Sequence, residues 1–355
     1  MEKIFLLTDY KDRFGSKHFD KPYRSGMDKK MLSKYFADFG YDTHFIRFGD
    51  VINSNFDFAD KPTLYTSSED IGYHYKSYIE DIVLFLFVNN AKILPHYYFL
   101  RANNNKVFME LLRKNLAFET EENLPVSVMG TLEDFLEKAD SFLYPLVIKT
   151  AEGASGSGVF LAKSKKEAIK KIKKISRTRY LIEDLKDIGR AKKHSGYIRE
   201  SLYRNKFIVQ SFIPNLSNDW KVYLFGSKLY IFYRPIFRNR GFRASGGGYD
   251  NYFYGKDARV VDGLLDYALR IFNKLNVPHA SLDVAYDGNK FYLFEYQTLY
   301  FGTAGIPYSN GYFTKQNEKW CFISEKLNIE YVYVSSIVEY LKQNNWINES
   351  TILKE

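Results

Sequence analysis

The stretch LVIKTAEGASGSGV, residues 146–159, closes an apolar run on Lys149 and then sets Gly153, Gly156 and Gly158 close together. Glycines let backbone N–H groups approach phosphate oxygens with no Cβ in the way, and a strand-end lysine can add a cation. The spacing satisfies G-x-x-x-x-G, but Val159 and Phe160 stand where a P-loop needs Lys and Ser or Thr. VFLAK then reads as another strand, whereas P-loop and Rossmann motifs both require a helix there. Neither chemistry fits. Taken alone, the stretch suits equally a phosphate flap, with Ser155 among its groups, and a plain glycine hairpin with a solvent-facing lysine.

A second stretch, HASLDVAYDGNKFYLFEYQ (279–297), reads as two strands around a short turn. With Asp287-Gly288-Asn289 as a three-residue turn and Asn289 left-handed, Asp283 faces Leu293 and Glu295 lies diagonally on the same face, roughly 7–8 Å away. Gln297 shares that face. Two acids and an amide oxygen form a hard-cation site, suited to Mg²⁺ bridging phosphates. A two-residue turn would put Asp283 and Glu295 on opposite faces, leaving ordinary hairpin acids.

The elements that must position these groups fall into two patterns. IFLLTDY (4–10), a helix over DKKMLSKYFADFG and THFIRF (43–48) form a β-loop-α-β order, which implies a small parallel sheet with its long loop at a strand's C-terminal edge. Residues 69–88 and 105–115 read as helices, with Asn103–Asn105 placed to cap the second. From Pro145 the pattern changes to hairpins: PLVIKT, GVFLAK, IVQSFI, WKVYLF and KLYIFYRPIF, with a helix over 257–276 before the late hairpin. The expected class is α/β (α+β), with a small N-terminal α/β domain (1–103), a central α+β subdomain (104–206) and a C-terminal α+β subdomain with a tail (207–355).

Composition bounds the rest. With 45% hydrophobic and 26% charged residues the chain should bury a real core. The charge of +9 invites a nucleic-acid partner. Much of it, however, lies on KSKKEAIKKIKK, where Ala168, Ile169, Ile172 and Ile175 form one apolar stripe of an amphipathic surface helix. Nucleic acid is therefore not the expected partner. The stretch 177–206 lacks a clear period and reads as a basic linker or insert. The lone Cys321 fits a reducing compartment. The longest apolar run, IVLFLFV, is far below the roughly 18 residues a membrane span needs, so a cytoplasmic protein is expected.

The ordered set of strand lysine, glycine flap and late acidic hairpin resembles the ATP-grasp superfamily, from about Asn105 to Gln297. Such proteins clamp ATP between two α+β subdomains, and most are carboxylate–amine or carboxylate–thiol ligases. The resemblance implies that Lys106 and Lys149 are the two phosphate-binding lysines. IVQSFI would be the hinge that meets adenine, with Gln210, Ser211, Phe212 and Ile213 and with serine in place of the usual glutamate. Asp219 and Lys221 would lie near the ribose, Arg234 would face the phosphates, and Asp283 and Glu295 would hold Mg²⁺. Gln297 replaces the usual asparagine. FRASGGG (242–248) resembles a segment of the RimK-like ligases, so Arg243 would face an acyl-phosphate and Ser245, Gly246 and Gly247 would line it.

The function this implies is an ADP-forming ligase acting on a small carboxylate and an amine. Arg243, Arg234 and Lys149 would be its catalytic cations. Lys17, His18 and Arg24 could pair with an acidic substrate, and YTSSED (65–70) offers hydroxyls. The stretch from 65 to 112 also resembles ATP-grasp proteins of surface-polysaccharide gene clusters, which would make a substrate sugar-linked. Kinase action on a hydroxyl and nucleotide binding without turnover stay open, as does a homodimer.

Overall fold

A computed structural model describes residues 1–15, 17, 25–70, 72–116, 124–153, 156, 158–178, 180–237, 241–245, 248–303 and 305–344. The chain divides into two compact units: Met1–Asn103 together with Leu216–Glu355, and Asn104–Asn215.

In the two-segment unit, strands β1 (Glu2–Thr8), β2 (Tyr41–Arg47), β3 (Pro62–Tyr65) and β4 (Lys92–Leu94) form a parallel sheet in the order β2-β1-β3-β4. This is the sheet implied by the β-loop-α-β order. The apolar run Ile4–Leu7 of β1 is buried because both faces of the sheet are covered. Phe5 and Leu7 pack in one cluster with the helix His74–Val88. Ile4 and Leu6 pack in another with the helices Lys29–Asp38 and Ile329–Gln343.

The last of these helices gives the C-terminal segment its place. Asn328 caps it by accepting from the Glu330 N–H at 2.8 Å. Val332, Val334 and Ile337 are wholly buried among residues from both ends of the chain. Glu330, also wholly buried, accepts from Lys17 Nζ at 2.9 Å and from the Asp28 N–H at 2.8 Å. Lys17 is thereby engaged by the protein's own carboxylate.

The same unit holds a larger antiparallel sheet, ordered β13-β12-β9-β10-β14-β15. Its strands are β9 (Asn218–Phe225), β10 (Lys228–Pro235), β12 (His279–Tyr286), β13 (Phe291–Gln297), β14 (Tyr312–Gln316) and β15 (Lys319–Ile323), with β11 (Phe253–Tyr254) beside β10. Alternation sends Val222, Leu224, Ala280, Leu282 and Val284 to one buried apolar face. Asp219, Lys221, Ser281 and Asp283 take the other. The amphipathic helix Leu264–Leu275 packs on β9 and β12.

The unit Asn104–Asn215 contains an antiparallel sheet ordered β5-β8-β6-β7, from β5 (Val126–Met129), β6 (Leu146–Thr150), β7 (Val159–Ala162) and β8 (Phe207–Ser211). The β8 strand, placed by sequence at the start of the C-terminal subdomain, pairs here with β5 and β6. Helices Leu132–Lys138 and Lys165–Ser176 cover one face, with Ala168 and Ile172 wholly buried and Ile169 and Ile175 at the margin. That is the apolar stripe expected of this helix. The stretch read as a linker differs: Leu181–Lys193 is a helix, and Leu181, Ile182 and Leu185 on it are exposed. Its apolar residues face out, so no periodic burial marks it.

Among the described residues no helix is long and apolar enough to cross a membrane. Ile337→Ala should destabilise the two-segment unit by about 2–5 kcal/mol, because it opens a cavity where both chain ends meet. Urea denaturation followed by tryptophan fluorescence measures this; a change below 1 kcal/mol would contradict the shared core.

Candidate active site

In the Asn104–Asn215 unit, the glycine turn joins β6 to β7 as an antiparallel pair, with Lys149 opposite Val159 and Ile208. This is the strand–flap–strand arrangement expected from the sequence. The core-facing residues of β6 and β8 are Leu146, Ile148, Phe207 and Val209. Alternation therefore places Val147, Lys149, Ile208 and Gln210 on the other face, all buried. The Gln210 Oε1 is buried without a hydrogen-bond partner among the described residues.

Lys106 opens the helix Lys106–Asn115, which Asn105 caps by accepting from the Phe108 N–H. Lys106 Nζ donates to the Gly153 carbonyl at 2.8 Å, and the Gly153 N–H donates to Asn104 Oδ1 at 2.9 Å. The first phosphate lysine of the resemblance is thus tied to the glycine turn itself. At Gly158 a Cβ would lie 1.9 Å from Thr150 Oγ1, so any side chain there would have to displace Thr150. Gly153 and Gly156 have φ of +110° and +72°, which side chains disfavour. Ser155 lies outside the described residues. Ser211 donates its N–H to the Pro125 carbonyl, and Phe212 and Ile213 follow β8 directly.

In the other unit, the late hairpin does bring its acids together, by a different route from the expected one. The loop has four residues, Asp287–Lys290, held by Asp287 Oδ1 accepting from the Asn289 and Lys290 N–H groups. Gly288, not Asn289, takes the positive φ. With four loop residues the register would set Asp283 opposite Phe294 and turn Glu295 to the far face. A β-bulge between Asp283 and Val284 absorbs Phe294 and restores the pairing, so Asp283 stands directly opposite Glu295 and Ser281 opposite Gln297. Directly opposed residues share a face.

Strands β9 and β10 complete a set of charges on that face. The two-residue turn Gly226-Ser227 pairs Arg234 with Asp219, and β12 pairs Asp283 with Lys221. Arg234 Nε donates to Asp219 Oδ1 at 2.6 Å, while its Nη2 lies 3.1 Å from Asp283 Oδ2. Lys221 Nζ reaches Asp283 Oδ1 at 3.1 Å. Asp219, expected near a ribose, is thus buried against Arg234.

Burial works to raise the Asp283 carboxyl, but Arg234 and Lys221 overcome it and bring it down to about 2. Burial also opposes the charge on Arg234, and Asp219 and Asp283 outweigh it, holding the guanidinium well above its ordinary value. The Asp219 carboxyl is pushed up by burial, with Arg234 pulling against it.

Among the described residues no three His, Cys, Asp or Glu side chains form a metal cage. Mg²⁺ needs none, since it is held by one or two carboxylates plus waters and substrate phosphates. Asp283 and Glu295, with the Gln297 amide two residues along, are a fitting donor set. Each Asp283 oxygen engaged by a cation retains a second lone pair.

Arg243 is half-buried and partnered within the protein, and Ser245 is half-buried beside it. His18, Arg24, Gly246 and Gly247 lie outside the described residues. The Arg234–Asp219 pair could have been found in the sequence by counting outward from the Gly226-Ser227 turn. The Asp283–Lys221 pair joins strands too far apart for any such count.

No protein-family model matches this sequence, and no curated protein does. Among solved structures, a RimK-domain ATP-grasp protein from Sphaerobacter thermophilus superposes with a TM-score of 0.52 at 15% identity, covering 95% of this chain and 98% of that one. The D-cycloserine synthetase DcsG gives 0.54 at 10% identity, covering 96% and 99%. The N5-carboxyaminoimidazole synthetase of Staphylococcus aureus, solved with ADP, gives 0.52 at 11% identity, covering 95% and 77%. The chain has the ATP-grasp fold.

Arg234→Met should destabilise the protein by about 3–5 kcal/mol, since it strands two desolvated carboxylates. The Asp283 carboxyl titrates near 2 when folded, below its ordinary 3.8, so its stabilising contribution is complete above that ordinary value and lost as pH falls towards 2. Acid unfolding of Asp283→Asn should therefore lack a component that the wild type shows below pH 4. Identical acid profiles would show that the pair with Arg234 is not formed.

Proposed function

We propose that this protein is an ATP-dependent carboxylate–amine ligase that releases ADP and phosphate. The observation that carries it is the pair of carboxylates, Asp283 opposite Glu295, set beside Lys221 and Arg234 on one sheet face. Support also comes from the fold and from the strand–glycine–strand turn with Lys106 and Lys149. The staphylococcal neighbour is a synthetase solved with ADP.

Lys106, Lys149 and the N–H groups of the glycine turn bind the phosphates. Gln210 to Ile213 take the adenine through the backbone and the unpartnered Gln210 amide. Asp283 and Glu295, with Gln297, would hold Mg²⁺. When bound, the metal supplies positive charge to the phosphate oxygens.

A substrate carboxylate attacks the γ-phosphorus in line, and ADP leaves. In this reading Arg234, Lys149 and Arg243 offset the charge that spreads over the transferring group, where fixed cations act most strongly. The acyl-phosphate is then captured by an amine, which forms the amide and releases phosphate. The chain supplies no nucleophile of its own. Its work is to position the reactants, to balance charge and to exclude water. A sugar-linked substrate, and with it a role in surface-polysaccharide synthesis, is supported by the sequence resemblance of residues 65–112.

Lys149→Ala and Glu295→Ala should each lower ADP release by roughly 10²–10³-fold or more, the scale for loss of one preorganised transition-state group. An ADP-release screen over acid and amine mixtures tests this. AMP and pyrophosphate as products, or full activity in either variant, would falsify the assignment. ADP formed with an alcohol and no amine, giving an alkali-stable phosphate ester, would identify a kinase instead.

A further inference from the structure

The chain between Thr178 and Leu202 makes an excursion from the Asn104–Asn215 unit. Its two ends meet: the Thr178 N–H donates to the Leu202 carbonyl at 3.0 Å, and the Asn205 N–H to the Ser176 carbonyl at 3.0 Å. Among the described residues it adds none to the apolar core of the unit. Its helix, Leu181–Lys193, buries only Asp187.

That helix is turned inside out. Asp184, Asp187 and Ala191 share one face by their spacing of three and four, and it is the covered one. Asp187 accepts from the Tyr197 hydroxyl at 2.6 Å and from Arg199 Nε at 3.4 Å, and Asp184 lies 3.9 Å from Arg177. Leu181, Ile182 and Leu185 take another face and are 72%, 70% and 69% exposed. An ordinary surface helix does the reverse, burying its aliphatic side chains and giving its carboxylates to water. Apolar residues exposed together and rimmed by charge mark an interaction surface.

Charge indicates what covers it. Residues 163–206 hold 16 Lys and Arg against 5 Asp and Glu, an excess greater than the +9 of the whole chain. On the helix itself Lys186, Arg190 and Lys193, all exposed, run beside the apolar face at spacings of four and three. Lys186 also meets Glu183 at 2.7 Å. A second copy of the chain would bring two such positive surfaces together, and they would repel. Nucleic acid would engage the cations but leave three aliphatic side chains in water. A lipid surface answers both features, with anionic headgroups above an apolar interior.

We propose that this helix seats the protein on an anionic membrane surface. Leu181, Ile182 and Leu185 enter the acyl boundary, while Lys186, Arg190 and Lys193 reach lipid phosphates beside them. The 13-residue helix is about 20 Å long, short of the roughly 30 Å of a bilayer core, so it lies in the interface and does not span. The contact does not depend on the chemistry of the active site.

Vesicles of phosphatidylcholine and phosphatidylglycerol in equal parts are the probe, on the full chain, with phosphatidylcholine vesicles for comparison. Flotation should carry the protein with the mixed vesicles only. Leu181→Ser combined with Ile182→Ser and Leu185→Ser should weaken binding roughly tenfold or more. Lys186→Glu combined with Arg190→Glu and Lys193→Glu should weaken it roughly a hundredfold. All six residues are exposed, so Tm should hold in both variants.

Absence of binding to the mixed vesicles would overturn the proposal. So would full affinity in the serine variant, which would show adsorption by charge alone. Mixed-sequence RNA bound more tightly than the vesicles, and equally by the serine variant, would reassign the face to nucleic acid. A dimer in sedimentation equilibrium that the serine variant abolishes, without vesicle binding, would reassign it to a second copy.

Discussion

Arg234 holds the charged face together. Its guanidinium lies between Asp219 and Asp283, and Lys221 shares the second acid. Burial pushes both carboxyls towards their neutral forms; Arg234 and Lys221 bring Asp283 down to about 2, while Asp219 stays raised with Arg234 pulling against burial. With them, the strands β9, β10 and β12 present a nearly balanced set of two cations and two anions. Glu295 then adds negative charge at one edge. Arg234 and Lys221 hold the Asp283 carboxyl well below its ordinary range and fix it in place.

The sheets divide their labour by face. On the large antiparallel sheet, one face is apolar and buried, while the other carries the charges and, further along, His279 and Phe225. On the β5-β8-β6-β7 sheet, one face packs on two helices while the other carries Lys149 and Gln210. Period-two alternation makes this division possible, and it also makes it fragile, since a slip of one residue would exchange the faces. The bulge at Phe294 is therefore as important to the acidic site as Asp283 or Glu295. It converts a loop length that would separate the acids into a register that joins them.

Local rules made much of this visible in advance. Apolar runs bounded by turn residues marked most strands, and Asn105 marked a helix start. The absence of a helix after Gly158 excluded two nucleotide folds. Spacing around Gly226-Ser227 would have been enough to pair Asp219 with Arg234. By contrast, the helix Leu181–Lys193 was missed because its apolar residues do not face a core. The turn at Asp287 was misjudged because a loop's hydrogen bonds, not its composition, set its length. The shared face of Asp283 and Glu295 was anticipated, although a bulge that no local motif announces produced it.

The sequence by itself determined the element types, the glycine turn behind Lys149 and the presence of two acids on one hairpin. These depend on dihedral preferences and on neighbours a few residues away. Only the tertiary structure decided that β9 lies beside β12, which gives Asp283 its two cations. It also decided that the C-terminal helix completes the core of the N-terminal sheet. Each of these is a contact between residues scores of positions apart. Such contacts are selected by the free energy of burying a whole surface, a quantity that no short window of sequence contains.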